Sequence, residues 1–113
     1  MTCRKAQLLE DEETLTLIPP VGIGRISLSR GALPVTIPVR YRRTGNGILV
    51  RLNRDDHLTN GLVGAVIGFQ VDSFHDDGAG WTANVIGQAV ATSDDDAVLL
   101  PFDIVSGTRY YGL

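Results

Sequence analysis

The chain is poor in the features that announce most chemistries. It has one cysteine, Cys3, so no internal disulfide can form, and that thiol near the N-terminus is expected to be exposed and without a chemical role. No apolar run approaches the ~18 residues a membrane-spanning helix needs, and "MTCRKAQLLEDEE" lacks a secretory apolar core, so a cytoplasmic protein with no membrane partner is expected. Basic residues are in deficit, 10 against 13 acidic, giving a net charge of −3. That balance argues against nucleic acid as a partner, which calls for a concentrated basic face. There is no serine–histidine–acid set, P-loop or CxxC, so hydrolytic and nucleoside-triphosphate chemistry have no support.

What is present is a foldable core. Hydrophobic residues make up 43% of 113 residues, the length of a single domain spanning 1–113. "LLEDEETLTLI" reads as a short helix with an acidic start, stopped by Pro19 and Pro20. Beyond it the period is two. "GRISLSR" alternates, "RGAL" supplies a hairpin turn, and "LPVTIPVRY" puts Val35, Ile37, Val39 and Tyr41 on one face. Pro34 and Pro38 lie an even number of residues apart, so both missing N–H groups fall on one lateral edge, which should be open or bulged. After the "RTGNG" turn, "ILVRLN" places Ile48, Val50 and Leu52 on one face and Leu49, Arg51 and Asn53 on the other. "DDHLTNGLVGA" suggests a short second helix weakened by Gly61 and Gly64. "AVIGFQVDSF" and "WTANVIGQAVA" read as long strands, "AVLLPFDIV" as one strand, and "TRYYGL" as a short last one. Short turns between about six strands predict a mainly β fold, an antiparallel barrel with one or two short helices.

Two polar stretches could carry chemistry. "RLNRDDHL" gathers Arg51, Arg54 and His57 at a strand end, either a cradle for a phosphate or a solvated turn in which Arg51 or Arg54 pairs with Asp55 or Asp56. "DSFHDDG" could offer Asp72, His75, Asp76 and Asp77 to a metal, but aspartate and glycine there first serve a hairpin loop, and no metal is expected.

The order of "VGIGRISLS", "PVTIPVRY", "ILVRL", "IGFQVDSF", "GWTANVIGQA" and "SGTRY" resembles the FMN-binding split-barrel family related to pyridoxamine 5′-phosphate oxidase. The resemblance implies a six-stranded antiparallel split β-barrel that forms a homodimer, with FMN in the cleft between subunits. It implies hydride transfer between a small-molecule electron donor and an unidentified small acceptor. It places the backbone of Pro38, Val39, Arg40 and Tyr41 beside the flavin ring. Arg51 and Leu52 fall where the family carries a phosphate-binding Arg–Thr pair, and His57 and Leu58 where it carries Lys–Leu. Arg54 lies close by, and Trp81 and Arg109 fall at the dimer contact and cofactor cleft. Leu52 brings no hydroxyl, and His57 replaces a permanent cation with a group of reference pKa ~6.5. Those departures motivate the alternative of a barrel that has lost FMN and serves as a ligand-binding or interaction module.

Overall fold

The computed structural model describes residues 5–53 and 61–113. Nine strands, β1 (Ala6–Leu9), β2 (Val21–Arg30), β3 (Leu33–Arg43), β4 (Gly47–Arg51), β5 (Val66–Phe74), β6 (Gly80–Gln88), β7 (Val90–Ala91), β8 (Ala97–Pro101) and β9 (Ile104–Tyr110), accompany one helix, α1 (Asp11–Leu17). All join one antiparallel sheet in the order β1-β9-β6-β5-β2-β3-β4-β8-β7.

The sheet must curl. β7 lies at its far edge beside β8, yet only Ala89 separates it from β6, which sits between β9 and β5. Gly87 of β6 permits the approach, since a Cβ there would meet the Pro101 carbonyl oxygen of β8 at 3.0 Å. The long β2–β3 hairpin is shared between two halves of this curled sheet. β2 bonds β5 only at Arg25–Ser27, and β3 bonds β4 only at Tyr41–Arg43.

The hairpin turn forms because Gly31 takes φ +61° at the first of two central positions, the arrangement of a II′ turn that matches strand twist. The alternation expected along β3, β4 and β5 points Ile37, Val39, Tyr41, Ile48, Val50, Ile67, Phe69 and Val71 into the core. Phe69 lies at its centre, edge-on to the Tyr41 ring with centroids 4.9 Å apart. α1 opens with Asp11, Glu12 and Glu13. It docks through Thr14, fully buried, against Gly107 of β9, where any Cβ would collide with the Thr14 side chain.

Several expectations change. Nine strands replace six because β1 forms ahead of the helix by pairing β9, Ala89 divides the "WTANVIGQAVA" run, and Phe102–Asp103 divide "AVLLPFDIV". Asp103 N–H donates to the Pro101 carbonyl at 2.9 Å, a local turn that alternation alone conceals. The second helix is absent from 61–65, where Gly61 and Gly64 take φ +73° and +84° in a turn instead. The earlier part of that expected helix lies outside the described residues. No helix among the described residues is long and apolar enough to cross a membrane.

Gly24 lies against Phe69, with an added Cβ only 2.5 Å from Phe69 Cε2 and 3.0 Å from the Gln70 carbonyl. Gly24→Ala should therefore cost about 1–3 kcal/mol by overpacking in urea unfolding. Gly45→Ala, in a turn where a Cβ meets nothing within 4 Å, should stay within about 0.5 kcal/mol of the parent.

Candidate functional site

The open edge inferred from the prolines is present on β3. Arg43 N–H donates to the Pro20 carbonyl on the β2 side, while Thr44 N–H donates to the Gly47 carbonyl on the β4 side, each at 2.8 Å. In an extended strand the lateral direction alternates, so even-numbered residues of β3 aim their N–H and C=O away from β2. Pro34 and Pro38 thus spend their missing donors on the side where β4 would have to continue. The β4 ladder stops at Tyr41, and no described strand pairs with Pro34–Val39 on that side. The described strands leave along this edge the Thr36 N–H and the carbonyls of Pro34, Thr36 and Pro38.

At the end of that edge, Val21, Gly22, Arg40, Tyr41, Arg42, Leu49 and Arg51 line an open cavity of about 290 Å³. Three arginines line it because Arg40 and Arg42 share the outward face of β3, and Arg51 shares the outward face of β4 with Leu49, the register partner of Arg42. Such a wall suits a phosphate or another anion, which planar guanidinium forks bind with two parallel hydrogen bonds.

Tyr41 is 4% exposed, and among the described residues its hydroxyl is buried without a hydrogen-bond partner. Burial pushes this phenol above the ordinary tyrosine value, with the Arg43 guanidinium opposing the shift. It stays protonated, an available donor, across the neutral range.

Arg51 is not free. Its Nη1 donates to Asp94 Oδ2 at 2.6 Å, a carboxylate supplied by the turn before β8, while Asp55 and Asp56, the partners considered from the sequence, lie outside the described residues. Both side chains are about half exposed, 53% and 47%. An exposed pair of this kind contributes little, which leaves Arg51 open to a stronger anion. Leu52 is half-buried against the core, and its N–H donates to the Asp96 carbonyl at 2.7 Å. Arg54, His57 and Leu58 lie outside the described residues.

The structure thus brings Arg40, Tyr41 and Arg51 together, with Pro38 and Val39 just before them on β3, Val39 turned into the core. Trp81 and Arg109 are cross-strand partners elsewhere. They line a second cavity of about 270 Å³ with Ser73, His75, Tyr110 and Tyr111 that shares no lining residue with the first. Trp81 also packs against the core, and Arg109 Nη2 stands 3.7 Å from Glu13 Oε2. In the "DSFHDDG" loop, Asp77 Oδ1 accepts the Ala79 N–H at 2.9 Å, the turn role expected of it. Sequence reasoning passed over Arg42 and Asp94. The two-residue spacing in "VRYRR" could have revealed Arg42, whereas Asp94 meets Arg51 only through β4–β8 pairing.

A curled antiparallel sheet with an open strand edge leading to an arginine-lined cavity defines a small split-barrel-like β protein. Residues 10–103 match the family model described as pyridoxamine 5′-phosphate oxidase, and the chain belongs to that family. No curated protein sequence matches it. Among solved structures it is similar to the FAD binding protein from Mycobacterium smegmatis, with TM-score 0.82 and 20% identity over 93% of this chain and 98% of that one. A FAD-binding protein from Mesorhizobium loti gives TM-score 0.77 and 12% identity over 92% and 96% of the two chains. The FAD and heme binding protein from Mycobacterium smegmatis gives 0.75 and 15% over 96% and 75%. At these identities the likeness establishes the fold.

Removing this hydroxyl, which has no partner among the described residues, by Tyr41→Phe should leave stability at neutral pH unchanged or raise it by up to about 1 kcal/mol in urea unfolding. Because the folded state holds the proton more tightly than the unfolded chain, this residue's contribution is fully present below pH ~10 and is lost as pH rises through the higher folded value. The parent should therefore lose more stability than Tyr41→Phe above pH ~10, and parallel curves would contradict the raised value.

Proposed function

We propose that this protein is a flavin-binding split-barrel protein that carries out redox chemistry between a small-molecule electron donor and a small acceptor. The observation that carries the reading is the convergence of Arg40, Arg42 and Arg51 on one cavity at the end of an unpaired β3 edge. The residues fit the group. The Thr36 N–H and the carbonyls of Pro34, Thr36 and Pro38 offer donors and acceptors to the polar rim of a flavin ring, and the prolines keep another strand off that edge. The Tyr41 hydroxyl supplies a buried donor that no described residue uses. Arg51, flanked by Arg40 and Arg42, takes the phosphate, with Arg54 and His57 as further donors on the family pattern. When bound, a flavin supplies hydride acceptance and donation, and the protein supplies orientation, charge and exclusion of water. FMN is the flavin the sequence resemblance implies. FAD, in the names of the three similar structures, would add a second phosphate to the same arginine wall.

A homodimer belongs to this reading. The cavities of Arg51 and of Trp81–Arg109 are separate within one chain, so only a second copy can set one chain's arginine wall against the other's Trp81 and Arg109. Ile86 and Ile104, register partners on adjacent strands, and Val21 and Ile23 on β2 leave apolar side chains exposed that a second copy would cover.

Leu52 packed against the core where a hydroxyl would serve phosphate, together with Arg51 held by Asp94, favours a second reading, a module that has given up the flavin. Colour separates the two. After incubation with excess FMN or FAD and removal of free dye, the protein should keep a flavin absorbance near one equivalent per chain, and chromatography of the released dye identifies which flavin it holds. Arg51→Ala should weaken binding about ten- to a hundredfold, the loss of a charged hydrogen-bond donor, without changing the dimer seen by sedimentation. A colourless protein would leave the module reading.

A further inference from the structure

The turn between β7 and β8 holds Asp94 unusually firmly for a surface carboxylate. Its Oδ1 accepts the Asp96 N–H at 2.8 Å, and its own N–H donates to Thr92 Oγ1 at 3.1 Å. Its carbonyl accepts from Thr92 Oγ1 at 2.8 Å and from the Ala97 N–H at 3.1 Å. The same turn is pinned to β4 beside Arg51, through the Leu52 N–H to Asp96 carbonyl bond of 2.7 Å and the Arg51–Ala97 register pair. With one oxygen committed to the turn, the carboxylate presents the other, Oδ2, to Arg51 Nη1 at 2.6 Å. When an anion arrives in the cavity, Asp94 stays and Arg51 must share itself or let go.

We propose that Asp94 is a fixed competitor for Arg51, a negative charge built into the rim of the cavity that lowers the site's affinity for phosphate and makes it selective for doubly charged phosphate over singly charged anions. This rests on reading the cavity as the seat of a flavin phosphate. Asp94 carries one negative charge and is already in place, so a singly charged anion gains no electrostatic advantage over it. A phosphate dianion does, and it also reaches Arg40 and Arg42, which line the same cavity. Because Arg51 and Asp94 are both about half exposed, the exchange between internal and external anion carries only a small penalty. Asp94 touches no ligand in this scheme. It acts through Arg51 as a positioning residue.

The test compares the parent with Asp94→Asn and with Asp95→Asn, which removes the same charge one residue along the same exposed turn. Asparagine keeps an acceptor for the Asp96 N–H, and Asp94→Ser repeats the experiment should the amide disturb the turn. Binding of FMN, riboflavin and inorganic phosphate is followed by fluorescence and by the NMR signal of the Arg51 side chain. Asp94→Asn should bind FMN and phosphate about threefold to tenfold tighter at low salt, with the gain shrinking as salt is added. Riboflavin, which has no phosphate, should not distinguish the variants, and Asp95→Asn should change binding less than about twofold. Equal or weaker phosphate binding in Asp94→Asn, or an equal gain in Asp95→Asn, overturns the proposal. Tighter inorganic phosphate with no FMN binding in any protein upholds the competitor and overturns the flavin reading. If neither probe moves the Arg51 signal in any variant, both fall.

Discussion

Two prolines on one lateral edge of β3 decide more of this molecule than any other feature. A strand edge rich in N–H groups recruits another strand, and a curled sheet with such an edge would close completely or aggregate. Pro34 and Pro38 withhold the donors, so β4 pairs β3 only at Tyr41–Arg43 and no described strand seals the rest of that side of the hairpin. The remaining carbonyls and the Thr36 N–H then face outward beside a wall of arginines. A flat heteroaromatic ring with its own donors and acceptors can use that edge where a strand cannot.

The core supports this geometry by subtraction. Gly22 and Gly24 on β2 give up their side chains where Tyr41 and Phe69 press in, with an added Cβ at Gly22 falling 3.3 Å from the Tyr41 hydroxyl oxygen. The two rings lock edge to face and fix the end of β3 from inside. Arg43, two residues further along the strand, donates from Nη1 to the Leu15 carbonyl at 2.7 Å and ties the same strand end to α1. The backbone that leads to Arg40 and Arg42 is thereby held from the core and from the helix, so the outward guanidiniums start from a rigid strand.

Much of this was legible in the chain because period-two alternation reports directly on faces. Val39, Tyr41, Ile48, Val50 and Phe69 fall inward and Arg51 outward as their parity requires, and the proline spacing announces an edge that no described strand pairs. Strand count was less legible, because alternation does not register a break one or two residues long such as Ala89 or Phe102–Asp103. β1 depends on a distant partner, β9, and local pattern is silent about that. Asp94 was hidden for the same reason, 43 residues from Arg51 in sequence and brought to it by the β4–β8 ladder. Trp81 and Arg109 illustrate a different limit. Family pattern assigns them to one cleft with Arg51, whereas a single chain places them around another cavity.

Amide hydrogen exchange along β3 tests the open edge most directly. The Thr36 N–H should exchange rapidly in the free protein while those of Val35, Ile37 and Val39, aimed at β2, are protected, and saturation with FMN or FAD should slow Thr36 selectively. Protection of Thr36 in the free protein, or an unchanged Thr36 in a protein that has taken up a flavin, would contradict the account.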